Sequence, residues 1–519
     1  MVRPGELSRW APLYSGMSAP TAPAFTFPFD NSYARDLPGF AVPWQPATVP
    51  APRLLHFNPG LARELGLPLA EATPDQLAAL FSGNALPEGA SPIAQAYAGH
   101  QFGQFSPQLG DGRALLLGEV IDGQGRRRDI AFKGSGRTPF SRSGDGKAAV
   151  GPMLREVLIG EAMHALGIPS TRALAVVATG EPVRRQRPLP GAVLTRVADS
   201  HLRVGTFQFF AAHAGPAQVR QLADYTIARH YPELAGAENG YLELLRAVAE
   251  RQAALVARWM AVGFIHGVMN TDNMSLSGET IDYGPCAFME AYDPGAVFSS
   301  IDRQGRYAYD QQADIAAWNL ARFAETLLPL IDADTERAVA RATAIIEAFP
   351  ARYQEHWLAA LKAKLGLPDG GAEAEALGAD WLTLLQAQSV DFTLAWRYLG
   401  EAAAGREERL RTLFADGAAL AAWLQRWRQQ CAAADGEGGE ARVAGAARAA
   451  VMARHNPWLI PRNHQVEAAL DAAEQGDLAP FHRLLGALAE PYREQPRYAD
   501  LAEPAPREFM RTFQTFCGT

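Results

Sequence analysis

Cysteine is scarce. The 519-residue chain has three, Cys286, Cys431 and Cys517, too few and too scattered for a disulfide scaffold or a zinc site, so they read as reduced thiols. A basic excess is also missing: 48 Lys and Arg face 56 Asp and Glu, for a net charge of -8. Without that excess the surface is ill suited to a phosphate backbone, which argues against a nucleic-acid partner. No stretch approaches the roughly 18 uncharged apolar residues of a membrane span. The first forty residues carry Arg3, Glu6, Arg9 and several prolines and hold no signal-peptide core. A cytoplasmic protein with no membrane partner is expected. No repeat of fixed period is visible. What is present is ordinary globular composition, 48% hydrophobic and 20% charged, in a chain too long for one core.

Residues 1–93 form a lead-in rich in Pro and aromatics (Phe25, Phe27, Phe29, Trp44), with short helical patterns at Pro59 and Pro74, expected to pack on the next unit. From Ala94 the texture changes. The string Tyr97-Ala-Gly-His-Gln-Phe-Gly-Gln-Phe105 is followed by Leu109-Gly110-Asp111-Gly112-Arg113 and the apolar run Ala114-Leu-Leu-Leu. Glycines flanking a strand let backbone N–H groups approach phosphates closely. The next strand pattern, Asp129-Ile-Ala-Phe-Lys133, ends in a lysine and is followed by a Gly/Ser/Arg loop through Asp145-Gly146-Lys147. Apolar residues at Val150, Leu154, Val157, Leu158 and Ala162 then predict a helix that contains Glu156 and stops at Gly167-Ile-Pro169. Glycine loop, strand lysine, helix glutamate is the order of a kinase amino-terminal lobe, where the Lys holds phosphates and the Glu holds the Lys.

Two further apolar runs, from Ala173 and from Ala192, predict a hairpin closing that lobe's sheet. Arg196 ends the second run and Arg203 follows. Their charged forks suit phosphate oxygens. A lobe over 94–205 is therefore expected, then a helical lobe over 206–330 and a helical extension over 331–519. In that extension Ala432 to Ala450 reads as an exposed loop or linker.

The organising stretch lies in the second lobe: Phe264-Ile-His266-Gly-Val268-Met-Asn-Thr-Asp272-Asn273, with Asp282-Tyr-Gly beginning nine residues after Asn273. A kinase catalytic loop places a base Asp two residues after its His and a metal-binding Asn seven after it. Counted from His266, Asn273 is in register, but the base position is Val268, which cannot accept a proton. Asp272 stands beside the Asn instead. The run from Glu279 predicts a short strand delivering Asp282 into a turn, and Asn273 and Asp282 offer hard oxygens suited to Mg2+.

On these strings, with Lys133-Gly-Ser-Gly-Arg-Thr-Pro-Phe-Ser-Arg, Ser141-Arg-Ser-Gly-Asp-Gly-Lys and Asp282-Tyr-Gly-Pro, the chain resembles the selenoprotein O family. These are kinase-like proteins that transfer AMP from ATP to protein hydroxyls. The resemblance covers nearly the whole chain after the first twenty or so residues. It implies an α+β, protein-kinase-like bilobal core with ATP flipped to expose its α-phosphate. It also implies that Lys133, positioned by Glu156, holds phosphate, and that Gly110, Gly112, Arg113, Asp145 and Gly146 contact nucleotide. Arg196 and Arg203 would clamp phosphates, Asn273 and Asp282 would bind Mg2+ or Mn2+, and Asp272 would accept the proton. The selenocysteine of some members is absent, and the tail reads Phe516-Cys517-Gly-Thr519.

Three outcomes follow. The favoured one is a protein adenylyltransferase acting on Ser, Thr or Tyr hydroxyls of protein substrates. The others are a phosphotransferase using the γ-phosphate and a non-catalytic nucleotide-binding pseudokinase. A reversible disulfide between Cys286, four residues after Asp282, and Cys517 is a further expectation, should the tail fold back over the cleft.

Overall fold

The computed structural model describes residues 25–435 and 441–516. It is half helix and 15% strand, a mixed α and β architecture. Eight strands form one antiparallel sheet in the order β1 (Ala41–Pro43), β3 (Ile93–Gln95), β6 (Ala114–Ile121), β7 (Arg127–Lys133), β10 (Pro188–Ala198), β9 (Arg172–Arg184) and β2 (Arg53–Phe57), with β8 (Ala148–Ala149) paired on β10. Residues of the Pro-rich lead-in thus supply both edges, β1 and β2. Two small hairpins stand apart from the sheet: β4 (Gly99–Gln101) with β5 (Gln104–Ser106), and β11 (Phe264–Ile265) with β12 (Ala287–Phe288).

Local chemistry explains the central strands. β6 and β7 are joined by a turn in which the Asp122 carboxylate accepts from the backbone N–H groups of Gln124 and Arg126, each at 2.9 Å. That is the side-chain mimicry of a turn at which Asp excels. The β9–β10 hairpin forms as its two apolar runs predict. The sheet is covered on both faces. The helix Val150–Ala165 buries Met153, Leu154, Val157 and Leu158 on one side and ends at Gly167, whose positive φ of 77° needs no Cβ. Helices Pro59–Glu64 and Pro74–Ser82 cover the other with Leu61, Leu77 and Phe81, against Leu117, Ile130 and Phe132.

Beyond the sheet the chain is helical. Gly240–Val262 stops at Gly263 (φ 73°), and β11 then leads into the loop that ends in a short 3-10 turn, Thr271–Asn273. Helices Gln312–Ile331 and Thr335–Lys364 complete the layer around it. The later helices are locked to this layer by Arg462, a fully buried side chain that pairs with Glu290 just after β12 and with Asp391.

Two expectations fail. The segment from Ala432 to Ala450 is not a loop where it is described: residues 432–435 end the helix Gly417–Asp435, and residues 441–450 belong to the helix Ala441–Met452. Alanine's helix propensity outweighs the low complexity of the stretch. Residues 279–282 do not form a strand. A single bridge joins Thr280 to Ser170, and Asp282 then takes a positive φ of 63°, outside the extended region.

Candidate active site

β7 and β10 are adjacent and antiparallel, with Leu194 opposite Lys133 and Arg196 opposite Ala131. Lys133 and Arg196 are therefore diagonal neighbours on one sheet face. That face looks toward the helix Val150–Ala165, which offers Glu156, and toward the turn that carries Asp282. The four side chains close a ring. Lys133 Nζ lies 2.6 Å from Glu156 and 2.7 Å from Asp282, while Arg196 lies 3.1 Å from Glu156 and 2.7 Å from Asp282. Only Asp282 is appreciably exposed, its side chain at 23% against 8% or less for the others. Burial alone would raise the Asp282 pKa, but Lys133, Arg196 and Arg203 overcome it and hold the carboxyl well below its usual range. It is an anion sharing three cations.

Arg203 stands at the N-cap of the helix Val204–His213 and bridges the Asp282 carboxylate to the backbone of Asp272. Its guanidinium donates to the Asp272 carbonyl at 3.2 Å, approaches Asp282 at 3.8 Å, and stacks 4.3 Å above the Tyr97 ring. Asp272, in the Thr271–Asn273 turn, differs from Asp282. Its Oδ1 is buried without a hydrogen-bond partner, and burial pushes its pKa up to about 6 against the opposing pull of Arg203. Asn273 spends its amide N–H on the Val268 carbonyl at 2.9 Å, which leaves its side-chain oxygen as a donor for a cation. Val268 is buried and apolar. Among the described residues no group of three or more His, Cys, Asp or Glu converges on one point.

The glycine loop lies across the cleft. Gly110 has φ 77°, and a Cβ there would stand 2.3 Å from the Phe140 ring, so this backbone approach admits no side chain. Asp145 pairs with Arg185 at 2.9 Å and accepts the Lys147 backbone N–H, and Gly146 follows at φ 69°. The structure brings Gly110, Gly112, Arg113, Lys133, Asp145, Gly146, Glu156, Arg196, Arg203, Asp272, Asn273 and Asp282 to the walls of one cleft of about 550 Å3. Sequence reasoning missed Asp111, Gln101, Asn270 and Arg185, which share the walls. Asp111 lay inside the quoted Gly-Asp-Gly and could have been flagged. Arg185 sits in a Gly/Pro/Arg-rich connection with no signal of its own.

Cys286 is fully buried, and burial pushes its thiol up to about 12, which keeps it protonated and unreactive. Cys517 lies outside the described residues. No described helix is long and apolar enough to cross a membrane.

Comparison with known proteins makes this α+β chain an enzyme of the nucleotidyltransferase class. The chain is 62% identical over 500 residues to Protein nucleotidyltransferase YdiU of Cereibacter sphaeroides, covering 95% of this chain and all of that protein. It is 61% identical over 490 residues to the protein of the same name from Chromobacterium violaceum (93% of this chain, all of that protein). The Rhizobium rhizogenes protein of that name is 56% identical over 504 residues, covering 96% of this chain and 99% of that protein. A family profile described as Protein adenylyltransferase SelO matches residues 23–489, and the chain belongs to that family.

Proposed function

We propose that the protein transfers AMP from ATP to Ser, Thr or Tyr hydroxyls of protein substrates and releases pyrophosphate. ATP lies flipped between the sheet and the helical layer, which act as the two lobes of a kinase-like core. The observation that carries this reading is the contrast between Asp272 and Val268. The residue where a kinase keeps its base is apolar and buried, while a carboxylate with one unbonded oxygen stands beside the cation cluster.

Each role follows from chemistry. Lys133, oriented by Glu156, and the forks of Arg196 and Arg203 take up charge on the phosphates. Gly110, Gly112, Arg113, Asp145 and Gly146 cradle the nucleotide through close backbone approach. Asp282 and the free oxygen of Asn273 would hold Mg2+, with Mn2+ as the alternative, and their hard-oxygen donor set fits such an ion. When bound, the cation neutralises phosphate charge. In the transfer the acceptor oxygen bonds to the α-phosphorus, the bond to the α–β bridging oxygen breaks, and the hydroxyl proton passes to Asp272. General-base assistance of this kind is worth roughly 100- to 10,000-fold.

The test supplies ATP labelled separately on its α and γ phosphates to the full chain, with divalent metal and a generic protein acceptor, beside Asp272→Ala and Asp282→Ala. Alpha label on the acceptor, abolished by Asp282→Ala and reduced by Asp272→Ala, is the expected result. Transfer of γ label would make the protein a phosphotransferase and overturn the flipped nucleotide. ATP binding with no transfer of either label to any acceptor would make it a scaffold.

A further inference from the structure

The Asp272 carboxylate is held by β4. A Cβ at Gly99 would stand 2.5 Å from Asp272 Oδ1, so only glycine permits this approach, and Gln101, two residues along the strand, shares the cleft wall with Asp272. As a strand, β4 pairs only with β5 in a two-stranded hairpin, so what fixes it comes from outside the sheet. The two-residue hairpin turn takes positive φ at both positions, at no cost for Gly103 (79°) but unfavourably for the bulky Phe102 (50°). Something outside the hairpin has to fix it.

Part of that anchor is the Phe102 N–H donating to Asn270 Oδ1 at 3.1 Å, and the rest is a closed ring of three hydrogen bonds. The His100 backbone N–H donates to Thr271 Oγ1 at 2.7 Å, and the Thr271 hydroxyl donates to Gln208 Oε1 at 2.6 Å. Gln208 Nε2 donates to His100 Nδ1 at 2.7 Å and closes the ring. Thr271 and Gln208 are buried, so neither has water as a substitute partner. Gln208 projects from the helix Val204–His213, the helix with Arg203 at its N-cap, and in the first turn of that helix the Gly205 carbonyl accepts the Ala98 N–H at 2.9 Å. One helix therefore sets both the arginine that reaches Asp272 and Asp282 and the strand that frames Asp272.

We infer that Gln208 and Thr271 are positioning residues for the transfer step: their ring with His100 fixes β4 so that Gly99 backs the buried Oδ1 and keeps the Asp272 carboxylate at the cleft wall. The inference rests on the reading of Asp272 as proton acceptor. Neither residue touches nucleotide in this role, so its loss acts on the chemical step and leaves ATP binding in place.

The experiment uses the full chain, saturating acceptor protein and α-labelled ATP, and measures kcat and KM for ATP separately, with the thermal midpoint as a check on folding. Thr271→Val keeps the shape and removes the hydroxyl, whereas Thr271→Ser keeps the hydroxyl. Misplacing a reacting group by about 1 Å costs on the order of 100-fold. Thr271→Val and Gln208→Ala are therefore expected to lower kcat by roughly 10- to 100-fold with KM for ATP within about threefold, and Thr271→Ser to restore most of the loss. A double-mutant cycle separates positioning from general support. In an Asp272→Asn background, Thr271→Val should cost almost nothing further, because the group it positions is gone. An equal loss in both backgrounds, or Ser as damaging as Val, overturns the inference. If Asp272→Asn alone retains wild-type kcat, the reading of Asp272 fails and takes this inference with it. If Asp272→Asn loses activity while Thr271→Val does not, this inference alone fails.

Discussion

Lys133 donates to Asp282 at 2.7 Å while it also holds Glu156 at 2.6 Å, so the cation assigned to phosphate is shared between two carboxylates. Incoming phosphate has to compete with Asp282 for Lys133 and Arg196. Asp282→Asn removes that competitor. In the absence of divalent metal the variant is expected to bind ATP several-fold more tightly than the wild type, a change on the order of 1 kcal/mol for one charge at partly exposed distance. Transfer with metal present should nevertheless fall by at least ~100-fold, because a carboxylate ligand is lost. Calorimetric ATP titration with and without Mg2+, paired with the α-label assay, checks both halves. Weaker metal-free binding by the variant would remove the competition from the account.

Gly99 is the second test of geometry. Any Cβ there meets Asp272 Oδ1 at 2.5 Å, closer than real carbon contacts come. Gly99→Ala should displace the carboxylate and lower kcat by roughly 10- to 100-fold. ATP affinity should stay near that of the wild type, since the phosphate-side cations lie on other elements. Loss of ATP binding in equal measure would mean that β4 supports the whole cleft and not the base alone.

How much of this was legible before the fold was seen depends on the distance over which each partner acts. Lys133, Glu156, Asn273 and Asp282 could be picked out because each sits in a local pattern, a strand end, a helix interior or a loop count. Arg185, Gln101 and Gln208 could not. Gln208 matters through contacts with residues 108 and 63 positions away, and nothing in its own helix marks it. The shape of the Asp282 segment was misjudged because only Thr280 and Ile281 in it favour a strand, and among the described residues it makes a single bridge, Thr280 to Ser170. Edge strands β1 and β2 came from a Pro-rich lead-in whose prolines hid its extended segments.

Arg462 offers a stability test remote from the chemistry. Its fully buried guanidinium pairs with Glu290 and with Asp391 at 2.7 Å, and Glu290 also accepts the Ala505 N–H at 3.3 Å. Arg462→Met would leave two carboxylates buried without their cation. Breaking a buried pair by removing one partner costs about 3–5 kcal/mol. Chemical denaturation is expected to show an earlier transition for the variant by that order. A triple variant, Arg462→Met with Glu290→Gln and Asp391→Asn, should recover part of the loss. No recovery would show that the arginine acts through packing and not charge.

Lys364 supplies a pH dependence whose sign can be worked out. It is buried at the end of the helix Thr335–Lys364, with its ammonium 5.1 Å from the Trp396 ring and 3.5 Å from the His455 carbonyl, and it has no ion pair among the described residues. Burial lowers its pKa from 10.5 to about 7. Between those values the unfolded chain holds a proton that the folded chain has released, so stability rises with pH across the window from about 7 to 10.5, by at most roughly 1.4 kcal/mol per pH unit. Below about pH 7 the lysine is charged in both states and its full cost is borne. Lys364→Met fills the same space without the charge. The variant should resist denaturant better than the wild type at pH 7, and its advantage should shrink steadily toward pH 9.5. Denaturant midpoints at several pH values for both proteins give the answer. Parallel curves would mean that Lys364 keeps an ordinary pKa in the folded chain, so that its ammonium reaches solvent.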